Sequence, residues 1–372
     1  MLLSVEDLVV RFETSEGTVH AVNGVSFDLA PAETLGIVGE SGCGKSATSL
    51  AILRLLPKPG GRIAKGRVLF RGADLLGLPE RRMRQLRGKD IAIVFQDPMT
   101  SLNPVLAVGR QITEALMAHE PMREADAVQR AAGLLHRVGI PDPASTLQRY
   151  PHQLSGGMRQ RVMIAIALAL KPTLLIADEP TTALDVTIQA QVLELVRDLT
   201  RESGTAVILI THDLGIVAGM TQRVAVTYAG FIVEMAETER LFSTPRHPYT
   251  IGLLHSLPRL DSDGRDELVP IEGLPPDQLD TPSGCPFAPR CAWRLSICWQ
   301  DNPGLTAVGS GAEDNESVAG AAGRGTHRVA CHNPAMAAEA AVGRPLRVGF
   351  VAASAPETVA RATSGVSVRR GS

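Results

Sequence analysis

Residues 35–46 read LGIVGESGCGKS, an apolar run that leads into a glycine-rich turn. The turn fits the pattern G-x-x-x-x-G-K-S, and an apolar strand before it with a helix after it is the context in which that pattern forms a P-loop. Backbone N–H groups of such a loop point at an anion, and the positive end of the following helix dipole adds to the attraction. The sequence therefore predicts a phosphate-binding loop formed by Gly39, Glu40, Ser41, Gly42, Cys43, Gly44, Lys45 and Ser46.

The composition is that of an ordinary globular protein. The chain has 372 residues, 44% of them hydrophobic and 20% charged, and its net charge of −2 gives no electrostatic reason to expect nucleic acid as a partner. The apolar run at residues 162–170 is shorter than the ~20 residues that a membrane-spanning helix needs. Residues 1–7 lack the basic start and apolar centre of a signal peptide, so we expect a cytosolic protein with reduced cysteines.

Each of three further apolar strands ends in polar residues, which are Gln96, the pair Asp178 and Glu179, and His212. Because ligands gather at the carboxyl ends of parallel strands, we expect these side chains around the bound phosphates. Oxygen atoms of Ser46, Gln96 and Asp178 suit Mg²⁺, which leaves Glu179 to polarise an attacking water. His212 is expected to take part in the same chemistry. The alternative for the two carboxylates is helix capping ahead of a proline.

A second anion cradle is predicted downstream. Residues 105–150 carry apolar side chains at helical spacing and form an insertion between strands. The insertion closes with Ser155, Gly156 and Gly157, which precede an apolar helix. A serine hydroxyl and bare backbone amides at a helix N-terminus bind anions. The sequence thus predicts two phosphate sites in one chain.

An aromatic ring near the N-terminus is a candidate for stacking on adenine. Residues 2–38 read as strands, and Phe12 is the first candidate within them, with His20 the second. Core packing is the alternative role for Phe12, because an apolar side chain on a strand is usually buried.

The motifs together resemble those of a known family. The nucleotide-binding subunits of ABC transporters carry motifs similar to six found here in the same order, namely GESGCGKS, Gln96, LSGGMRQR, LLIADEP, TALD and THD. The LSGG segment makes the resemblance specific, since other P-loop classes lack it. The resemblance implies an α/β protein with a RecA-like ATPase core, a helical subdomain at about residues 97–165, and hydrolysis of ATP with Mg²⁺.

The same resemblance implies roles for individual residues. Glu179 is implied as the catalytic base, His212 as the switch that contacts the γ-phosphate, Gln96 as the sensor that couples to membrane subunits, and Asp185 as a residue that couples two ATPase subunits. Such subunits pair head to tail, so that ATP on one P-loop is capped by the other chain. The residues implied in this capping are Ser155, Gly156, Gly157 and Gln160.

Further segments resemble one branch of that family, the dipeptide and oligopeptide importer ATPases of bacteria. They include FQDPMTSLNP, HPYT at residues 247–250 and GCPFAPRC at residues 284–291. The resemblance implies peptide import through two transmembrane permease subunits, with a second, usually different, ATPase subunit and an extracytoplasmic solute-binding protein. It also implies a peripheral position on the cytoplasmic face of the cell membrane. Nickel or glutathione import is the alternative, and a non-transport ATPase acting on nucleic acid is disfavoured by the single cassette.

Four of the five cysteines lie in the C-terminal part of the chain. Cys285, Cys291, Cys298 and Cys331 are separated by 5, 6 and 32 residues, whereas zinc sites favour close C-x-x-C pairs. The wide spacing suits a four-iron, four-sulfur cluster, which some peptide-importer ATPases carry in this region. Zinc and plain thiols are the alternatives.

Changes in composition divide the chain into three predicted parts. Proline, glycine and aspartate become frequent after Tyr249, and alanine, then serine and glycine, dominate the end. We expect an ATPase domain at residues 1–250, a C-terminal region at residues 251–335 with a flexible loop at residues 309–325, and a disordered tail at residues 336–372.

Overall fold

The computed structural model describes residues 1–182, 184–256, 270–308 and 325–334. Their β-strands are β1 (Leu3–Thr14), β2 (Gly17–Leu29), β3 (Thr34–Val38), β4 (Gly61–Phe70), β5 (Ala73–Asp74), β6 (Ile91–Val94), β7 (Leu174–Asp178), β8 (Ala206–Thr211), β9 (Arg223–Tyr228), β10 (Phe231–Glu237), β11 (Thr306–Ala307) and β12 (Arg328–Val329). Their α-helices are α1 (Lys45–Ile52), α2 (Glu80–Leu86), α3 (Pro98–Ser101), α4 (Val108–Met117), α5 (Glu124–Arg137), α6 (Pro143–Thr146), α7 (Gly156–Leu168), α8 (Val186–Ser203), α9 (Leu214–Met220), α10 (Thr238–Ser243) and α11 (Pro248–His255).

The larger sheet has the strand order β11-β12-β10-β9-β3-β8-β7-β6. Its five strands from β9 to β6 are parallel, and β10, β12 and β11 extend one edge in antiparallel fashion. The parallel strands are continuous apolar runs because helices cover both faces of such a sheet. This order places the P-loop strand β3 beside β8 and brings the carboxyl ends of the parallel strands to one edge. The predicted α/β P-loop fold is confirmed.

A second, antiparallel sheet with the order β2-β1-β4-β5 covers one side of this core. Its alternating apolar residues, such as Leu3, Leu29 and Val68, are fully buried together with Leu35 and Ile208 of the larger sheet. Each strand turns one face inward, as a half-buried antiparallel sheet does. The P-loop and α1 therefore lie between two sheets that share one core.

The helical insertion forms its own apolar core. Ile112 of α4, Leu135 of α5 and Ile164 of α7 are completely buried in one cluster. The cluster also takes in Leu175 of β7 and Val192 of α8, so the insertion packs against the parallel sheet. Among the residues that the structure describes, no helix has the length and apolar character needed to cross a membrane.

The C-terminal region adds strands to the edge of the larger sheet. Strand β12 pairs with β10, and the carboxylate of Glu234 on β10 is completely buried, where it contacts His327 Nε2 at 2.6 Å and accepts the backbone N–H of His247 at 3.0 Å. The predicted boundary at residue 250 falls inside α11. The predicted loop and tail lie outside the described residues, apart from Gly325 of the loop.

Candidate functional site

The P-loop joins the end of β3 to the start of α1. Gly44 has φ +92°, and a Cβ atom there would lie 2.1 Å from the carbonyl oxygen of Ala21, so only glycine fits. The ammonium group of Lys45 is buried inside the loop, where it donates to the carbonyl oxygens of Gly39 at 2.8 Å and Glu40 at 2.9 Å. The loop thus surrounds a fixed positive charge, as phosphate binding requires.

Ser46 and Asp178 meet at the foot of the P-loop. The Ser46 hydroxyl donates to Asp178 Oδ1 at 3.0 Å, and Ser49 Oγ lies 3.4 Å from Oδ2. Burial raises the pKa of Asp178, and the hydrogen bond from Ser46 opposes that rise. A buried carboxylate beside a hydroxyl supplies the hard oxygen ligands that Mg²⁺ prefers, so these residues fit the predicted ion. When bound, Mg²⁺ neutralises phosphate charge.

The three predicted catalytic side chains converge from the ends of β6, β7 and β8. Glu179 Oε2 accepts a hydrogen bond from Gln96 Nε2 at 3.0 Å, and Glu179 Oε1 lies 3.4 Å from His212 Nδ1. The backbone of Glu179 is left-handed, with φ +44°. Such strain in a non-glycine residue is held only where the surrounding structure enforces it, and it concentrates at functional sites.

Thr182 is a member of this cluster that the sequence reasoning missed. Its hydroxyl donates to Glu179 Oε2 at 2.8 Å, and its backbone N–H points to the carbonyl oxygen of Glu179 at 3.4 Å. The signal was present in the sequence, because a hydroxyl residue three positions after a carboxylate in a tight turn can reach back to it.

The second predicted cradle lies in the helical subdomain. Ser155 caps α7 by accepting the N–H of Met158 at 3.3 Å, and Ser155 and Gly156 are exposed. A Cβ atom on Gly156 would meet Leu184 Cδ2 at 3.7 Å, an ordinary contact. The turn is therefore exposed at Ser155 and Gly156, whereas at Gly157 a Cβ atom would come within 2.9 Å of Ile188 Cγ2.

The structure separates Gln160 from that exposed turn. Its side chain is buried, with 1% of the residue exposed, and its Nε2 atom has no hydrogen-bond partner. The contact of Gln160 with a nucleotide on another chain stays a prediction, and the burial of its side chain does not add support to it. Asp185 is exposed and caps α8 by accepting the N–H of Ile188 at 3.0 Å, which holds the start of that helix.

The two candidates for adenine stacking differ in their surroundings. His20 is engaged by the C-terminal region, since its Nδ1 lies 2.7 Å from Thr281 Oγ1 and its N–H donates to the carbonyl oxygen of Gln278 at 2.8 Å. Burial lowers the pKa of His20. Phe12 is half-buried and packs against the edge of the core shared by the two sheets.

The four C-terminal cysteines are neighbours but do not form a metal site. The N–H of Cys285 donates to the carbonyl oxygen of Cys298 at 2.8 Å, and burial raises the pKa of Cys285 and Cys331 to about 11. Across the described residues, no three His, Cys, Asp or Glu side chains are grouped so as to hold a metal ion. The prediction of a four-iron, four-sulfur cluster is therefore not supported by the structure.

Comparison with known proteins identifies the family. The family model for ABC transporters matches residues 22–182, and the model for the oligopeptide/dipeptide transporter C-terminal region matches residues 233–298. A dipeptide transport ATP-binding protein of Bacillus subtilis is 55% identical over 305 residues, which cover 82% of this chain and 91% of the relative. The chain belongs to the ABC transporter family of ATP-binding proteins. It is an ABC ATPase, and the expectation from its motifs is confirmed.

Other relatives agree with this assignment. An oligopeptide transport ATP-binding protein of Salmonella typhimurium is 51% identical over 311 residues, which cover 84% of this ABC ATPase and 92% of the relative. Among solved structures, an ATP-binding cassette in a dimeric, post-hydrolysis state bound to ADP and Pi aligns with a TM-score of 0.57 and 26% identity, covering 63% of this chain and 98% of that one.

Proposed function

We propose that this ABC ATPase energises the import of di- or oligopeptides across the bacterial cell membrane. The observation that carries the proposal is the presence, in one chain, of an ABC cassette and the oligopeptide/dipeptide transporter C-terminal region. The names of the relatives add support, since they are dipeptide and oligopeptide transport ATP-binding proteins. These names do not favour nickel or glutathione as the cargo.

The proposed chemistry uses the cluster around Glu179. Its carboxylate takes a proton from a water whose oxygen attacks the γ-phosphorus of ATP, and the bond from that phosphorus to the bridging oxygen breaks to give ADP and phosphate. His212 contacts the γ-phosphate, and Gln96 senses it. The contacts of Glu179 with Gln96 and His212 support this arrangement, because they bring all three side chains to one point.

Two chains complete each site in this proposal. ATP on one P-loop is capped by Ser155, Gly156 and Gly157 of a second ATPase subunit, and Asp185 couples the two sites. The exposure of Ser155 and Gly156 supports this, since an exposed helix N-terminus with a hydroxyl is suited to an anion from outside the chain. Because His20 is bonded to Thr281 and Gln278, we assign adenine stacking to Phe12.

The proposed partners follow from the proposed role in peptide import. ATP binding closes the ATPase dimer and hydrolysis reopens it, and two permease subunits convert this motion into alternating access. A related paralogue is proposed as the second ATPase, with an extracytoplasmic binding protein that delivers the peptide. The subunit then sits peripherally on the cytoplasmic face of the membrane.

The test is transport by the full complex reconstituted in vesicles, with labelled dipeptide, labelled oligopeptide and nickel offered separately. We expect ATP-dependent uptake of a peptide, and loss of uptake with Glu179→Gln, which removes the base and lowers kcat by about 10²- to 10⁴-fold while ATP still binds. Uptake of nickel alone would reject the peptide assignment. ATPase activity that responds to DNA and not to the permease would reject the transport role.

A further inference from the structure

The P-loop of this protein contains an acidic residue, whose negative charge opposes the binding of phosphate. Glu40 is the second residue of the loop, and its carboxylate shares the loop with the groups that receive ATP. A carboxylate held close to the phosphates repels them, because like charges within a few ångströms disfavour each other. Neutralising this charge would therefore favour ATP binding.

Arg290 of the C-terminal region neutralises it. Its Nη1 and Nη2 atoms donate to the two carboxylate oxygens of Glu40 at 2.8 and 3.1 Å, in a paired arrangement that joins residues 250 positions apart in the chain. The Arg290 side chain is only 5% exposed. Bidentate pairs of this kind combine charge with fixed geometry, and burial protects them from screening by salt.

The guanidinium group of Arg290 is held from all sides. Besides the two bonds to Glu40, its Nε donates to the carbonyl oxygen of Glu272 at 2.9 Å, Nη2 to that of Ile271 at 3.2 Å, and Nη1 to the Tyr228 hydroxyl at 3.3 Å. These contacts account for all five N–H donors that an arginine possesses. The side chain therefore has one position, and Glu40 is fixed by it.

The backbone of the loop is held by Tyr249 of α11, the helix that leads into the C-terminal region, and by Gln278 of that region. The N–H of Glu40 donates to the hydroxyl of Tyr249 at 2.9 Å, and Tyr249 is completely buried against the rings of Tyr228 and Phe287. At the other side of the loop, Gln278 Nε2 donates to the carbonyl oxygen of Gly42 at 2.7 Å. Through Arg290 and Gln278, the C-terminal region thus contacts the P-loop at two separate residues, Glu40 and Gly42.

We propose that Arg290 is a positioning residue for ATP binding. It cancels the charge of Glu40 and fixes the shape of the loop, so the C-terminal region is a structural part of the nucleotide site. The inference rests on ATP binding at the P-loop, which the affinity of the unaltered protein tests separately, and it does not depend on which solute is transported.

The test measures the equilibrium affinity of the full-length ATPase for Mg–ATP. Arg290→Met leaves the Glu40 carboxylate uncompensated, and we expect Kd to rise about tenfold. Adding Glu40→Gln removes the repulsive charge, and we expect the double variant to recover affinity to within about threefold of the unaltered protein. Arg290→Lys keeps a point charge but not the paired geometry, so its Kd should rise about threefold; this variant carries the test if the methionine variant does not fold.

Arg223→Met is the matched control. Arg223 is also a buried arginine, 6% exposed, and donates to Glu33 at 2.9 Å, but it begins β9 at the end of the sheet opposite the P-loop. We expect a lower thermal unfolding midpoint and an unchanged Kd. The proposal is overturned if Arg290→Met and Arg290→Lys bind ATP as the unaltered protein does. It is equally overturned if the weakened binding of Arg290→Met is not recovered on adding Glu40→Gln, since a purely structural role predicts no such rescue.

Discussion

The two predicted phosphate cradles of this ABC ATPase differ in how much of the chain surrounds them. Lys45 is buried inside the P-loop and bonded to loop carbonyl oxygens, and Ser46 is bonded to the buried carboxylate of Asp178. Ser155 and Gly156 of the second cradle are exposed, and the side-chain hydrogen bond of the turn stays within its own helix. One cradle is completed by its own chain, and the other is presented outward.

A pair of glycines shows the difference at atomic scale. The chain itself forbids a side chain at Gly44, because of the carbonyl oxygen of Ala21 and the left-handed backbone. At Gly156 the chain permits one, since the nearest atom is 3.7 Å from the added Cβ. A requirement for glycine at position 156 must then come from a second molecule.

Gly44→Ala should have the largest effect. The added Cβ would lie 2.1 Å from a backbone oxygen at φ +92°, so we expect a loss of about 4 kcal/mol or more in the free energy of unfolding and no measurable ATP binding. Urea unfolding and ATP titration measure these. Gly42→Ala is the control, because it has φ +83° but no atom within 4 Å, and should lose only about 1–2 kcal/mol. Equal losses in the two variants would refute the close-contact argument.

Acid should lower the free energy of unfolding through His247, which caps α11, the helix whose Tyr249 is bonded to the P-loop backbone. This side chain is buried, accepts the N–H of Tyr249 at 3.1 Å, and has a pKa that burial lowers to about 4, against the opposing charge of Glu234. Since the folded-state pKa lies below the unfolded value of 6.5, the stability it confers is complete above pH 6.5 and is lost as pH falls toward 4, up to about 3 kcal/mol.

The variant that isolates this effect is His247→Asn, because asparagine keeps the N-cap acceptor without the titration. The free energy of unfolding should fall in both proteins between about pH 7.5 and about pH 4.5. We expect this fall to be about 2 kcal/mol smaller in the variant than in the unaltered protein. Loss from other carboxylates is common to both proteins and cancels. Parallel pH profiles would show that His247 does not contribute.

Gly156→Ala should separate binding from turnover. We expect the free energy of unfolding and the Kd for ATP to stay within error of the unaltered values, while hydrolysis falls about 30-fold, because the methyl group crowds the nucleotide of the partner subunit. Gly133→Ala on α5, where a Cβ meets no atom within 4 Å, is the control; it should leave the Kd for ATP and hydrolysis unchanged and raise the free energy of unfolding by about 1 kcal/mol, the gain of alanine over glycine inside a helix. A fall in ATP affinity would mean that the turn serves the P-loop of its own chain.

Thr182→Val should have the smallest effect. The variant removes the hydroxyl that donates to Glu179 at 2.8 Å but keeps the shape of the side chain. Loss of one hydrogen bond to an ionised group in a partly exposed site is worth about 1 kcal/mol, so we expect kcat to fall about fivefold with KM unchanged. Thr182→Ser should retain full activity. An unaltered kcat in the valine variant would remove Thr182 from the cluster around Glu179.

Much of the fold could be predicted because its signals are local. The apolar strand predicted ahead of His212 is confirmed as β8, since a continuous apolar run bounded by turn residues is typical of a buried parallel strand. The gathering of Gln96, Glu179 and His212 was also predictable, because parallel strands share one edge for their carboxyl ends.

Other features could not be read from the chain. Helix α7 has apolar side chains on most of its faces, so no contrast between a polar and an apolar face indicated that Gln160 points into the interior. Cysteine spacing favoured a metal cluster, but spacing does not fix the distances between thiols across loops. The predicted boundary at residue 250 cut a helix, because the change in composition there follows the start of α11.

The sequence alone determined the P-loop, the parallel strands and the order of the motifs, because each depends on neighbouring residues. Only the tertiary structure decided that Arg290 pairs with Glu40 across 250 positions, that Tyr249 holds the loop backbone, and that the turn at Gly156 is left open. The reason is physical: a charge in a loop can be neutralised by any cation that folding brings near, and nothing local to Glu40 specifies which one.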